Sequence, residues 1–198
     1  MTQDGRALER EDGTGGDGGS RSLAERAARG ERRAFDILAR NYADMVAGLA
    51  MKLLGSREEA LDCAQDAFVK AWENIARYDP KWSVATWLRR IVTNLALDRL
   101  RRRRRASSFP EGLAETLESG TDAPHAGLER RERAGAVRGL LDLMPEKYRT
   151  VLVLRDMEEM EISEIAEITG ANTATVRWRL HRARMLFRDR WPDADGER

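Results

Sequence analysis

The apolar residues of this chain recur every three or four positions. No stretch alternates with period two long enough to make a strand. Helical periodicity begins near Ser22, and Phe35, Leu38, Tyr42, Met45, Leu49 and Leu53 predict one apolar face of a helix ending near Gly55, where glycine suits the position after a helix. Ser56 then reads as an N-cap, with Glu59 three residues on completing a capping box. The helix it starts turns Leu61, Phe68, Trp72 and Ile75 inward. Its other face carries Asp62, Gln65, Asp66, Val69, Lys70 and Glu73, and Tyr78-Asp79-Pro80 closes it with a turn. A third helix has Val84, Trp87, Leu88, Ile91 and Leu95 as its inward stripe and leaves Arg89, Arg90, Thr93 and Asn94 off it.

Composition divides the chain. The first twenty residues hold six glycines and almost nothing apolar, so residues 1–21 are expected to be a disordered tail. Residues 106–127 carry four acids, no Lys or Arg, and no sustained period, which reads as a flexible acidic linker. After it come a helix over Leu128 to Leu143, a second with Pro145 at its first position and Val151, Leu152 and Leu154 inward, and two more at about Ile162–Ile168 and Thr173–Arg188. The expected fold is all-α: two small helical domains, 22–105 and 128–191, joined by that linker, with a short tail at 192–198.

The net charge of +1 hides strong segregation. Six arginines crowd Arg99 to Arg105, and six more lie between Asn172 and Arg190 against the single acid Asp189. Two basic regions of this kind fit an anionic partner. One cysteine, Cys63, excludes an intramolecular disulfide, and two distant histidines disfavour a metal site, so no cofactor or metal is expected. There is no apolar run long enough for membrane insertion and no secretory leader pattern. A reducing, cytoplasmic location follows as the expectation. With no Gly-rich phosphate loop and no nucleophile–base pair, an enzyme is not expected.

Residues 162–180 have helix-turn-helix spacing. Ile165, Ala166 and Ile168 pack the first helix, Gly170 supplies a left-handed corner, Asn172 caps the second helix, and Val176 and Leu180 anchor it. Thr173, Ala174, Arg177, Trp178, His181, Arg182 and Arg184 then face outward, and Thr175 and Arg179 complete the set expected at duplex DNA. An arginine bridging guanine O6 and N7 discriminates by about 1–3 kcal/mol. A solvated basic helix would show the arginines alone, without the turn glycine, the cap and the small crossing residue.

The Arg99–Arg105 block by itself fits a localisation-like patch, a solvated helix end or a nucleic-acid contact. Its setting favours the last. Trp82 lies in a loop just before a helix bearing Arg89, Arg90 and Asn94, and a basic groove beside an aromatic surface suits unstacked single-stranded DNA. Arg101 joins this set. Trp87 reads as core. Trp82 fits either the core edge or a DNA contact.

Two sets of residues carry a resemblance. Residues 62–72 (Asp62-Cys63-Ala64-Gln65-Asp66 through Trp72) resemble region 2.2 of the extracytoplasmic-function group of bacterial sigma factors, and Trp87 to Asn94 resembles that group's next helix. Leu143 to Arg149 and Thr175 to Arg184 are similar to its region 4. The resemblance implies a subunit that binds core RNA polymerase and directs promoter-specific initiation. It implies that Trp82, Ser83, Arg90 and Asn94 trap the melted −10 strand. Arg177, Trp178, His181 and Arg182 would read the −35 duplex, and Asp62, Gln65, Asp66 and Lys70 would dock on the β′ clamp. The linker would thread polymerase channels, and an anti-sigma factor is an expected partner. Trp178 departs from the small or polar residue common there; it would meet a thymine methyl group or pack on a neighbour. The competing reading is a stand-alone helix-turn-helix regulator, which would dimerise on a palindromic operator.

Overall fold

The computed structural model describes residues 17–107 and 128–191. Most of the expected tail, most of the linker and residues 192–198 lie outside the described residues. Eight α-helices make up the described residues: α1 (Asp17–Ala28), α2 (Arg32–Leu54), α3 (Arg57–Asn74), α4 (Val84–Ser107), α5 (Leu128–Asp142), α6 (Glu146–Leu152), α7 (Ile162–Thr169) and α8 (Thr173–Arg188). A 3₁₀ turn, Ile75–Arg77, ends α3, and a π-type turn, Val153–Met157, ends α6. None of these helices is long and apolar enough to cross a membrane.

The first unit packs α2 against α1, α3 and α4. Leu38, Val46, Leu49, Leu53, Val84, Leu88 and Val92 fill its centre. Helix α2 stops where expected: Gly55 takes φ 78°, and its N–H donates to the Met51 carbonyl. Glycine fits here twice over, because a Cβ would also lie 2.6 Å from an oxygen of the Asp142 carboxylate. At Ser56 the first half of the expected box is present, with the Glu59 N–H donating to the hydroxyl at 3.4 Å.

Several expectations need correcting. The helical region starts at Asp17, inside the stretch read as tail, and Ser20 is buried where its hydroxyl accepts from Tyr42 at 2.9 Å. Tertiary contact thus overrides the poor helix propensity of Gly18 and Gly19. Two helices carry the periodicity before Gly55, and they meet at Gly30, which takes φ 94°. Helix α3 buries Ala60, Cys63, Ala64, Ala67 and Ala71 together with Ile75 just beyond it, while Leu61 and Trp72 stay exposed and Phe68 is half-buried. Small residues face α2 and α4, where helices meet closely, so the widest side chains are displaced to the flanks. Trp72 instead packs on Phe35, ring centres 5.1 Å apart. Thr93, expected off the stripe of α4, is fully buried. Pro145 precedes α6 as its cap rather than opening it.

The second unit packs α6 and α7 against α8. Val151, Leu154, Ile165, Val176 and Ala183 form its centre. Helices α7 and α8 fall within a residue of the expected limits. The Glu161 N–H donates to the Glu164 carboxylate at 3.0 Å at the start of α7. Gly170 at φ 64° makes the corner, and Asn172 accepts from the Thr175 N–H at 2.7 Å. The two units touch, α2 meeting α6 and the π-type turn, and α4 meeting α7. Their buried residues form one cluster.

Candidate nucleic-acid and polymerase interfaces

Three surfaces carry the expected site residues. On α8, Val176, Leu180 and Ala183 face inward, which turns Thr173, Ala174, Arg177, Trp178, His181 and Arg182 to solvent. Among the described residues, Arg177, Arg179, His181 and Arg182 make no ion pair. Thr175 and Arg179 are half-buried at the margin. Trp178 is 58% exposed and leans on Tyr148, ring centres 6.1 Å apart, and Lys147 Nζ lies 5.0 Å from the centre of the Tyr148 ring. It therefore packs on a neighbour and still presents most of its surface. Arg184 differs from the rest. Its Nε and Nη2 donate to Asp156 at 2.9 and 2.6 Å, and these bonds raise its pKa above the ordinary arginine value. Its guanidinium is engaged within its own unit.

The second surface is built around Trp82. The Tyr78 hydroxyl donates to the Trp82 carbonyl at 2.7 Å, and the Tyr78 ring meets Trp87 edge-on at 5.3 Å. Trp87 is thereby half-buried support for the loop, in line with its reading as core. The Arg90 guanidinium lies 4.2 Å over the Trp82 ring, a cation–π contact that holds the indole half-exposed. Ser83 acts as the cap of α4, accepting from the Thr86 N–H at 3.0 Å. Asn94 is exposed one turn beyond Arg90, and Arg101 pairs with Asp98. Arg89 and Arg90 do not stand free as the sequence suggests. Arg89 Nε donates to Glu158 at 2.9 Å, and Arg90 Nη2 donates to Glu167 at 2.8 Å. Both acids belong to the second unit.

The third surface is the outer face of α3. Asp62 and Gln65 are exposed. Asp66 accepts from Arg99, and Lys70 pairs with Glu73 at 3.4 Å. Leu61 (48% exposed), Val69 and Trp72 lie among these polar groups. Periodicity assigned Leu61 and Trp72 to the core. The signal that assigns them outward is the competing alanine row on the same helix.

Cys63 is fully buried, and burial pushes its thiol pKa up to about 11. It is packing, with no nucleophilic thiolate near neutral pH.

The chain is similar to known proteins over both units. Residues 38–106 match the family Sigma-70 region 2, and residues 134–186 match Sigma-70, region 4. The ECF RNA polymerase sigma factor SigW of Bacillus subtilis is 33% identical over 173 residues, covering 83% of this chain and 92% of that one. The ECF RNA polymerase sigma-E factor of Escherichia coli is 32% identical over 170 residues, covering 82% and 88%. Among solved structures, CnrH in complex with the cytosolic domain of CnrY superposes with a TM-score of 0.62 at 28% identity, covering 89% of this chain and 99% of that one. The fold of RpoE from Bartonella quintana, solved with the anti-sigma factor NepR, also matches with a TM-score of 0.62 at 20% identity, covering 74% and 89%. With both regions present in order, and relatives at this identity matched over nearly their whole length, the chain belongs to the extracytoplasmic-function sigma factors of bacterial RNA polymerase.

Proposed function

We propose that this chain binds core RNA polymerase and directs it to promoters by reading two DNA elements at once. The observation that carries this is the presence, in one chain, of an exposed basic face on α8 and a separate tryptophan–arginine platform at the start of α4. Helix α8 reads duplex DNA at the −35 element through Arg177, Trp178, His181 and Arg182, with Thr173, Thr175 and Arg179 at the backbone. Its N-terminus adds the positive end of the helix dipole near phosphate. Trp82, with Ser83, Arg89, Arg90, Asn94 and Arg101, holds the melted −10 strand, the indole offering a face for an unstacked base. The α3 face with Asp62, Gln65, Asp66 and Lys70 docks on the β′ clamp, and the exposed Leu61, Val69 and Trp72 add apolar contact there. In domain terms, 17–107 serves the −10 element and polymerase, the segment after it links, and 128–191 serves the −35 element. An anti-sigma factor is the partner that would hold the protein inactive.

Transcription with core polymerase, followed by sequencing of the start sites, tests this reading. The expected result is a shared upstream sequence pair that appears only when the chain is added. A purified chain that neither binds core enzyme nor changes its start sites overturns it.

A further inference from the structure

Among the described residues, Trp178 is the large apolar side chain that α8 leaves exposed, while Val176, Leu180 and Ala183 take its core positions. It stands in one row of the helix, with Ala174 one turn before it and Arg182 one turn after, and all three are exposed. Helical side chains slope toward the helix N-terminus, so the indole covers the turn that carries Ala174. These are the first two turns of α8, the part of such a helix that enters the major groove. The indole is also held from outside α8. Tyr148 of α6 is half-buried and is followed by the buried Arg149, Thr150 and Val151. Its ring meets Trp178 with 6.1 Å between centres and 55° between planes. A tilted aromatic pair at that distance is favourable beyond the area it covers. Helices α6 and α8 pack directly on each other, so Tyr148 is a rigid support. An unsupported aromatic side chain loses its rotamer freedom on binding, whereas this one has lost it on folding.

We infer that Trp178, positioned by Tyr148, selects the 5-methyl group of thymine in the −35 duplex, with the Ala174 methyl extending the same contact. The inference rests on reading α8 as the −35 helix, and it names the chemical group that the aromatic residue recognises. Every base edge in the major groove carries hydrogen-bonding groups, but thymine alone adds an apolar one. Arg177 and Arg182 suit the hydrogen-bonding groups and offer a methyl nothing. An indole face buries the methyl and thereby separates thymine from cytosine, whose C5 carries only hydrogen. Tyr148 acts through Trp178 and is a positioning residue.

The test uses the full chain bound to core polymerase and a promoter fragment whose start site it selects. Each thymine of the −35 element, on either strand, is replaced in turn by deoxyuridine, which removes the methyl and keeps every hydrogen-bonding group. Competition binding gives the ratio of thymine to uracil affinity at each position. For the wild type the ratio should be about fourfold at one position or two adjacent ones, the worth of one buried methyl-sized group. Trp178→Ala, a change at an exposed side chain, should abolish the difference at those positions. Tyr148→Leu should reduce it although Trp178 is intact, and Tyr148→Phe should preserve it. Trp178→Ala and Tyr148→Phe leave the core packed, so the methyl contact is decided even without Tyr148→Leu. No difference at any thymine in the wild type overturns the inference, and so does a difference that persists in Trp178→Ala. Both results leave the proposed function standing. A difference that Tyr148→Leu leaves unchanged overturns the positioning role. A chain that directs polymerase to no promoter overturns the proposed function and this inference together.

Discussion

Arg177 and Arg184 stand about two turns apart on α8 and do different work. Arg177 is exposed and makes no ion pair among the described residues, so its donors are available for base edges. Arg184 is spent on Asp156. Arg177→Ala should weaken binding by about 1–3 kcal/mol on promoters with the preferred −35 base and much less on others. Arg184→Ala should leave that discrimination intact and lower stability by less than about 1 kcal/mol, because its ion pair is largely exposed. Duplex binding measured across a set of −35 variants separates the two. Cys63 gives a second residue-scale expectation. Its folded pKa of about 11 lies above its ordinary 9.0, so folding favours the protonated thiol. That contribution is present below about pH 9 and is lost as pH rises through about 11. Wild-type stability should therefore fall relative to Cys63→Ala between urea titrations at the two ends of that window. A thiol reagent at neutral pH should label Cys63 only after unfolding.

At the scale of the element, the helix-turn-helix depends on two local devices. Gly170 holds a left-handed corner at φ 64°, and Asn172 satisfies the Thr175 N–H at the start of α8. Asn172→Ala should cost about 1 kcal/mol, and Asn172→Asp should cost much less because the carboxylate makes the same bond. Gly170→Ala should cost about 1–2 kcal/mol through its backbone conformation alone, since a Cβ there meets nothing within 4 Å. Urea unfolding of the three variants checks the order. Both devices act within a few residues, which is why the limits of α7 and α8 were legible in the sequence. Helix α3 was harder. Its large apolar residues suggest one inward stripe, yet its alanines form another, and only the closeness of α2 and α4 selects between them.

For the whole molecule, ion pairs join the two units beside their shared buried cluster. Raising salt from about 0.1 M to about 1 M shortens the screening length from about 10 Å to about 3 Å. The Arg90–Glu167 pair, with its exposed acid, should weaken, whereas buried Glu158 should keep most of its hold on Lys52 and Arg89. The wild type at high salt should thus open only part of the way that Glu158→Gln with Glu167→Gln opens at low salt. Scattering across a salt series measures this. A wild type that opens fully at high salt would contradict the role given to the buried carboxylate.

Local physics is written in the sequence. Period, caps and turn glycines determined the all-α class, the separation into two helical units and the outward face of α8, because each depends on neighbours within a few positions. Partnerships between residues far apart in the chain are not written there. Glu158 and Arg89 are 69 residues apart, and Glu167 and Arg90 are 77 apart. Nothing local marks either acid as a partner for an arginine of α4. Packing of α4 against α7 decided that, together with the cost of burying a carboxylate without cations beside it. The sequence thus specified which basic residues lie on outward helix faces, and the tertiary structure decided which of them are taken by an acid elsewhere in the chain.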